Sequence, residues 1–273
     1  MPSLFARDIT VCVLSSGSAG NCAYVGDGHA GLLIDCGLST RQVKERMASS
    51  GLADAPIDAV LVTHEHGDHV GAARVLAKEL ARRRAPVPFF MTAGTRRGLD
   101  PRCVPEGIEV IQAGARFRVK HLLVEALPIP HDTRDPVAYR VSASDVVVAV
   151  VTDLGRPTAL IARALRDCTL AVLEFNHDED MLMNGPYPFP VKQRIKSSHG
   201  HLSNRQAQEL LADGLGSRLT DVVLAHLSEE NNTPAKAAAA AQHVLGQAGR
   251  GVRLHLGQVR AALPPLTARA ERW

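Results

Sequence analysis

The run Thr63-His64-Glu65-His66-Gly67-Asp68-His69 constrains this chain more than any other feature. Three histidines and one aspartate fall within six residues, directly behind the apolar segment Ile57 to Val62. Imidazole nitrogens and carboxylate oxygens are ligands for divalent first-row metals, so donors concentrated at the end of a buried strand indicate a metal-holding loop on a rigid sheet edge. While the chain stays extended, side chains two residues apart share a side, so His64 and His66 can share one ion. Asp68 and His69 lie beyond and reach a second, so one motif can serve two ions.

The remaining pattern alternates strands and helices. Short apolar runs at Ile9 to Leu14, Cys22 to Val25 and Gly31 to Ile34, with a Gly26-Asp27-Gly28 turn, read as strands of a hairpin sheet. Ser39 and Gln42 form a capping box before a helical stretch to Gly51, and Ile57 to Val62 reads as a buried strand. Val70 to Arg84 reads as a helix, Val110 to Leu127 as strands, Val146 to Val151 as a buried strand, and Pro157 to Arg166 as a helix with proline in its first turn. Ser203 and Gln206 make a second capping box for a helix through Leu211. Thr233 and Pro234 open the alanine-rich helix Ala235 to Leu245. This is an α/β pattern, not an all-β one. Asn184 to Ser198 is the longest irregular stretch and is expected to be a functional loop.

A chain of 273 residues, 45% hydrophobic, can bury a sizeable core, and one globular domain over residues 1–273 is expected. The start, MPSLFARD, lacks the features of a secretory signal, and Val146 to Val151, the longest wholly apolar run, is far too short to span a bilayer. A soluble, cytoplasmic protein is therefore expected. Five cysteines without CxxC spacing indicate neither a disulfide framework nor a zinc ribbon, and a net charge of +3 decides nothing about nucleic acid. The twelve histidines, several of them beside Asp, Gly or another His, point to metal.

The HxHxDH pattern behind a buried strand resembles the signature of the metallo-β-lactamase superfamily. The other superfamily positions follow in order: Asp35 in LLIDCG, His131 in PIPHDT, Asp153 in VVTDLG and His226 in VVLAHLS, each behind an apolar strand. The resemblance implies an α/β, four-layer αββα sandwich. It also implies that His64, His66 and His131 hold one divalent ion, that Asp68, His69 and His226 hold the other, and that Asp153 bridges them. Asp35 would orient the ligand loop. Nitrogen and oxygen ligands suit zinc, manganese or iron alike, and Cys36 reads as a packed thiol.

Further strings narrow the resemblance: SSGSAGN (Ser15 to Asn21), LLIDCGLS, LEFNHDEDML, GPYPFPVKQRI (Gly185 to Ile195), GHLSN (Gly200 to Asn204) and AHLSEENNTP. Together they resemble the bacterial YycJ/WalJ group, over almost the whole chain and least between Arg82 and Lys120. That resemblance implies a 5′ to 3′ exonuclease acting on DNA rather than RNA, with a role in DNA repair. In such a dinuclear site a bridging water loses its proton near neutral pH and attacks phosphorus, with Asp68 among the catalytic ligands. A thioester or lactone hydrolase of the glyoxalase II type, an RNA-processing nuclease, or a binding module without chemistry are the alternatives.

His201 stands just ahead of the helix cap Ser203, where backbone N–H groups and the helix dipole favour an anion, so a scissile phosphate could sit there. His201 is the candidate general acid or phosphate ligand, a position that also resembles a histidine of tRNA 3′-processing endonucleases. Ser16, Ser18 and Asn21 could present donors to phosphate, although a tight turn needs the same residues. Lys192 and Arg194, with Lys196, could contact a nucleic-acid backbone or be ordinary solvated charges. Asn176, with His177 and Asp178, is expected beside the substrate, as is Ser203. Arg82-Arg83-Arg84 reads as a solvated helix end, and His29, His121, His199, His243 and His255 as structural or surface residues.

Overall fold

The computed structural model describes residues 7–83, 86–249 and 251–270; the expectations for the first six residues and for Arg84 fall outside them. The described strands, in chain order, are β1 (Ile9–Ser15), β2 (Cys22–Gly26), β3 (Gly31–Ile34), β4 (Ala59–Leu61), β5 (Phe89–Thr92), β6 (Ile108–Ile111), β7 (Arg116–Val119), β8 (Leu122–Pro128), β9 (Val137–Ala143), β10 (Val146–Val151), β11 (Leu170–Glu174), β12 (Asp221–Ala225), β13 (Arg253–Leu256) and β14 (Leu266–Ala268). The chain divides into two compact units. The first is Met1–Pro128, Thr133–Val146 and Gln258–Trp273; the second is Ile129–Asp132 and Val147–Gly257.

In the first unit seven strands form one sheet in the order β14-β1-β2-β3-β4-β5-β6, antiparallel from β1 to β3 and parallel from β3 to β6. β7, β8 and β9 form an antiparallel meander. The core gathers Leu14, Tyr24, Leu33, Val60, Val62 and Phe89 from the sheet with Val43, Met47 and Leu76 from two helices, Thr40–Ser49 and Ala73–Arg83. The capping box at Ser39 and Gln42 forms as expected, and Arg46 near the other end of that helix donates to the carbonyls of Leu14 (2.7 Å) and Val259 (2.9 Å).

The single helix expected from Val70 to Arg84 is interrupted. Gly67–Val70 makes one turn, and the Ala72 N–H then leaves the helical ladder for the Cys36 carbonyl (3.0 Å) before Ala73–Arg83 begins. His66 is extended and caps this turn, and Asp68 and His69 lie on it, beyond the extended stretch in which the two-residue period pairs His64 with His66.

The second unit has a parallel core of β10, β11, β12 and β13. β10, β11 and β12 are wholly buried and read as near-continuous apolar runs, the pattern of strands covered on both faces. Helices Ala159–Arg166, Asn204–Gly214 and Pro234–Gln247 accompany them. The first begins later than expected: Thr158 is extended and its hydroxyl accepts from Ile161 N (3.3 Å), which leaves Pro157 outside. The expected irregular loop Asn184 to Ser198 is largely helical, because Glu179–Asn184 is a helix capped by Asp178 and Phe189–Lys196 is another. Pro190 sits in the first turn of the latter, where a missing N–H is harmless.

This topology places the chemistry. Asp35 follows β3 and Thr63-His64 follow β4, its parallel neighbour; Asp153 follows β10, Glu174 ends β11, and His226 follows β12. In each unit the polar residues thus emerge at the carboxyl ends of adjacent parallel strands, where α/β sheets carry their ligands.

Candidate metal centre

Asp35, Asp153 and His226 all adopt the left-handed conformation, with φ of 61°, 59° and 54°. Such a turn costs on the order of 1–3 kcal/mol for a non-glycine residue and is retained only where surrounding bonds enforce it. In the first unit those bonds are explicit. Asp35 Oδ1 accepts from Thr63 N (2.8 Å), and the Thr63 hydroxyl lies 3.0 Å and 2.9 Å from the two carboxylate oxygens. Asp35 Oδ2 lies 2.8 Å from His69 Nδ1, and Thr63 Oγ1 lies 3.0 Å from His64 Nδ1. One proton assignment satisfies the set: each ring donates through Nδ1–H, to Thr63 or directly to Asp35, while the Thr63 hydroxyl donates to Asp35. Both imidazoles are fully buried, and their ring centroids are 4.1 Å apart; the His66 ring is 4.7 Å from that of His64.

The second unit repeats this device. His131 Nδ1 is 3.0 Å from the Gly200 carbonyl. Glu174 is fully buried; its Oε1 lies 2.8 Å from His201 Nδ1 and 3.5 Å from His226 Nδ1, and its Oε2 accepts from Leu154 N (2.7 Å), pinning the turn at Asp153. Asp153 Oδ1 then faces His226 Nε2 (3.5 Å), His131 Nε2 (3.8 Å) and His201 Nδ1 (3.5 Å). Atoms of Asp153, Glu174, His201 and His226 lie within 4.8 Å of one another. Burial pushes the Glu174 carboxyl up, but the facing His201 and the bonds from His201 and His226 more than offset it and hold it below the ordinary range. Burial lowers His131 despite the nearby Asp153.

A histidine gripped at Nδ1 by an oxygen is fixed in the tautomer whose Nε2 lone pair can coordinate a metal. His64, His69 and His131 have that grip; His226 Nδ1 instead stands between the Asn176 amide nitrogen (3.2 Å) and Glu174 Oε1 (3.5 Å). Each unit thus presents nitrogen and oxygen donors of a kind that fits divalent metal: His64, Asp68 and His69 in the first, and His131, Asp153 and His226 in the second.

The structure gives several expected substrate contacts other work. Asn21 is buried; its amide donates to Asp68 Oδ2 (3.1 Å) and lies 2.9 Å from His69 Nε2, so it engages Asp68 and His69. Asn176 Nδ2 donates to the His226 carbonyl (2.9 Å), which steadies that left-handed turn. The buried Ser203 hydroxyl accepts from Gln206 N (3.2 Å) and donates to Glu179 Oε1 (2.9 Å). The helix start expected to receive phosphate therefore already carries the Glu179 carboxylate, and Asn204 N there is taken by the His177 carbonyl (2.7 Å). Lys192 Nζ donates to the Met183 carbonyl (2.8 Å), and Arg194 pairs with Asp132. Ser16 is buried, whereas Ser18 is exposed. Cys36 is a buried thiol pushed up by that burial.

Thr63 and Glu174 were not singled out by sequence. The available signal for Glu174 was an acidic residue closing an apolar run in a buried strand. His177, expected beside the substrate, is 1% exposed; its Nδ1 has no hydrogen-bond partner, and burial lowers its pKa to about 4.

Fold and donor set together define a metal-dependent hydrolase of the metallo-β-lactamase fold. A family model described as "Beta-lactamase superfamily domain" matches residues 31–226. The solved metallo-β-lactamase fold protein YhfI from Bacillus subtilis superposes with a TM-score of 0.71 over 94% of this chain and 99% of its own, at 15% identity. Within that superfamily the chain belongs to the YycJ/WalJ family. It is 32% identical to the exodeoxyribonuclease YycJ of Bacillus anthracis over 88% of this chain and 90% of the relative. It is 30% identical to the exodeoxyribonuclease WalJ of Streptococcus pneumoniae over 88% and 89%.

Proposed function

We propose that this protein is a dinuclear metal-dependent phosphodiesterase that digests DNA exonucleolytically from the 5′ end, with a place in DNA repair. The carrying observation is the donor set itself: histidines held at Nδ1 by Asp35 with Thr63, by Gly200 and by Glu174, in a chain akin to exodeoxyribonucleases over nearly its whole length. By the family's motif order, His64, His66 and His131 would hold one ion and Asp68, His69 and His226 the other, with Asp153 serving both; manganese or zinc would suit these ligands, and iron is compatible. Divalent ions so held supply a water activated near neutral pH and charge stabilisation for a phosphodiester.

The chain's own residues do the rest. Asp35 and Thr63 keep His64 and His69 in the coordinating tautomer. Glu174 holds His201 at Nδ1, so Nε2 is the ring nitrogen left to meet the leaving oxygen, and it donates there when the ring carries both protons. His201 is 20% exposed, so that nitrogen is within reach of substrate.

The test is end-labelled duplex DNA bearing a 5′-phosphate, incubated with manganese or zinc beside the Asp68→Ala variant. Stepwise loss from the 5′ end that vanishes in the variant supports the reading. Intact DNA and intact matched RNA, with hydrolysis of a thioester, would leave a metallohydrolase and remove the nuclease.

A further inference from the structure

Helix Phe189–Lys196 buries none of its eight residues. A helix this short is not stable by itself in water, so something outside it must hold it. The ties are specific. Arg194 pairs with Asp132, next to the ligand His131; His201 N donates to the Ile195 carbonyl (2.9 Å), and Gly200 N donates to the Ser197 carbonyl (3.0 Å). A Cβ at Gly200 would stand 2.1 Å from the Ile195 oxygen, so the approach requires glycine. The carboxyl end of the helix is thereby fixed to His201 and to the flank of His131, while Lys192 ties its first half to the Met183 carbonyl (2.8 Å).

The amino end of the helix is apolar and exposed. Among the described residues seven large hydrophobic side chains are exposed; two of them, Phe189 and Val191, lie in the first turn of this helix, and Met183 lies in the helix before it. Phe189 is 61% exposed, the highest of the seven. Scattered exposed hydrophobics need no explanation; an aromatic ring this exposed, on a helix braced to His201, does. The surrounding charge selects the occupant. From Gly185 to Ser203 there is no acidic residue, while Lys192, Arg194 and Lys196 are cationic. A second copy of the chain would set cation against cation, whereas a polyanion with flat apolar faces satisfies both features.

We propose that this helix is a stacking platform for the unpaired end of a DNA strand, with the Phe189 ring receiving a base and Lys192 and Lys196 near its phosphates. The proposal rests on the nuclease reading. Phe189 stands six residues before Ile195, about 9 Å along the axis at ~1.5 Å per residue. At about 3.4 Å per nucleotide, that offset corresponds to roughly two to three nucleotides from the strand position at His201. The platform would thus grip the strand a few nucleotides from the bond being cut, and would favour frayed or single-stranded ends.

The test uses the full-length metal-loaded protein and a labelled single-stranded DNA octamer, with binding read by fluorescence anisotropy and digestion by KM and kcat. Phe189→Ala and Phe189→Leu are expected to weaken binding by about 5- to 100-fold, the range for losing one base stack, chiefly through KM, while Phe189→Trp retains it. Because this side chain is exposed, the variants should melt with the wild type. If the wild type digests DNA and Phe189→Ala binds the octamer within two-fold of it, the platform is wrong and the nuclease reading stands. If the wild type neither binds nor cuts the octamer, both fall. If light scattering finds a wild-type dimer that Phe189→Ala converts to monomers, the face is a self-interface and the stacking proposal is overturned.

Discussion

Replacing Asp35 by asparagine isolates one atom of the metal-supporting network. Asparagine has the same shape and tolerates the left-handed backbone found at Asp35 (φ 61°), so the change adds no conformational strain. It exchanges one acceptor oxygen for an N–H₂ donor at a site only 3% exposed. If the remaining oxygen keeps Thr63 N–H (2.8 Å in the native protein), the amide nitrogen faces His69 Nδ1 across a 2.8 Å contact. His69 must then accept at Nδ1 and carry its proton on Nε2, which removes the lone pair a metal needs. If the amide flips, the buried Thr63 N–H loses its acceptor, at a cost of about 1–3 kcal/mol. Outer partners of this kind are worth about 10- to 100-fold in metal affinity. The assay is competition against a chromogenic chelator, paired with thermal unfolding of the metal-free protein, whose Tm is expected to fall by about 2–4 °C per kcal/mol. Metal affinity within two-fold of wild type would refute the tautomer argument, whatever happened to stability.

Four further outcomes follow from the same geometry. Glu174→Gln should lower kcat on a phosphodiester roughly 10- to 100-fold, because His201 loses its anionic partner (2.8 Å); an unchanged pH–rate profile would count against the role of that pair. Gly37→Ala should destabilise the protein by about 1–3 kcal/mol or more and weaken metal binding, since the new Cβ would lie 1.7 Å from the Asp68 carbonyl oxygen; a Tm within one degree of wild type contradicts this. His177 binds its proton less readily folded (about 4) than unfolded (~6.5), so it contributes stability above pH ~6.5 that is lost as pH falls towards 4. His177→Leu should therefore flatten the decline in metal-free Tm between pH 7 and pH 5, and an equally steep decline argues against it. Removing metal from the native protein should lower Tm in a manner reversed by re-addition, because ligands that bind only the folded state stabilise it by mass action; no shift with chelator would contradict the donor set described above.

Much of this protein can be read from neighbouring residues alone. The HxHxDH motif announces metal because donor type and strand-end position are both local properties, and capping boxes at Ser39 and Ser203 mark helix starts because the bonds close within three residues. An α/β pattern was legible by the same means, from apolar strands such as Val146–Val151, whereas the metallo-β-lactamase fold was implied by the ordered resemblance of the HxHxDH motif with Asp35, His131, Asp153 and His226.

Elements whose signal is not periodic were lost. The helix Phe189–Lys196 buries nothing, so no apolar stripe marks it, and the break between Val70 and Ala73 follows from a bond to Cys36 that no local pattern encodes. The support network was invisible for a stronger reason. Asp35 meets His69 across 34 residues, Glu174 meets His201 across 27 and Asn176 meets His226 across 50, so their pairing exists only once parallel strands are set side by side. Asn21, Asn176 and Ser203 carry groups that would suit a substrate equally well. Only the folded chain decides that ligand residues, a backbone carbonyl and a helix end engage them, because a buried polar group must find its partner inside the protein. The sequence by itself determined the donors and the edge from which they emerge; tertiary structure decided which nitrogen each histidine presents, since that is set by a partner brought in from far along the chain.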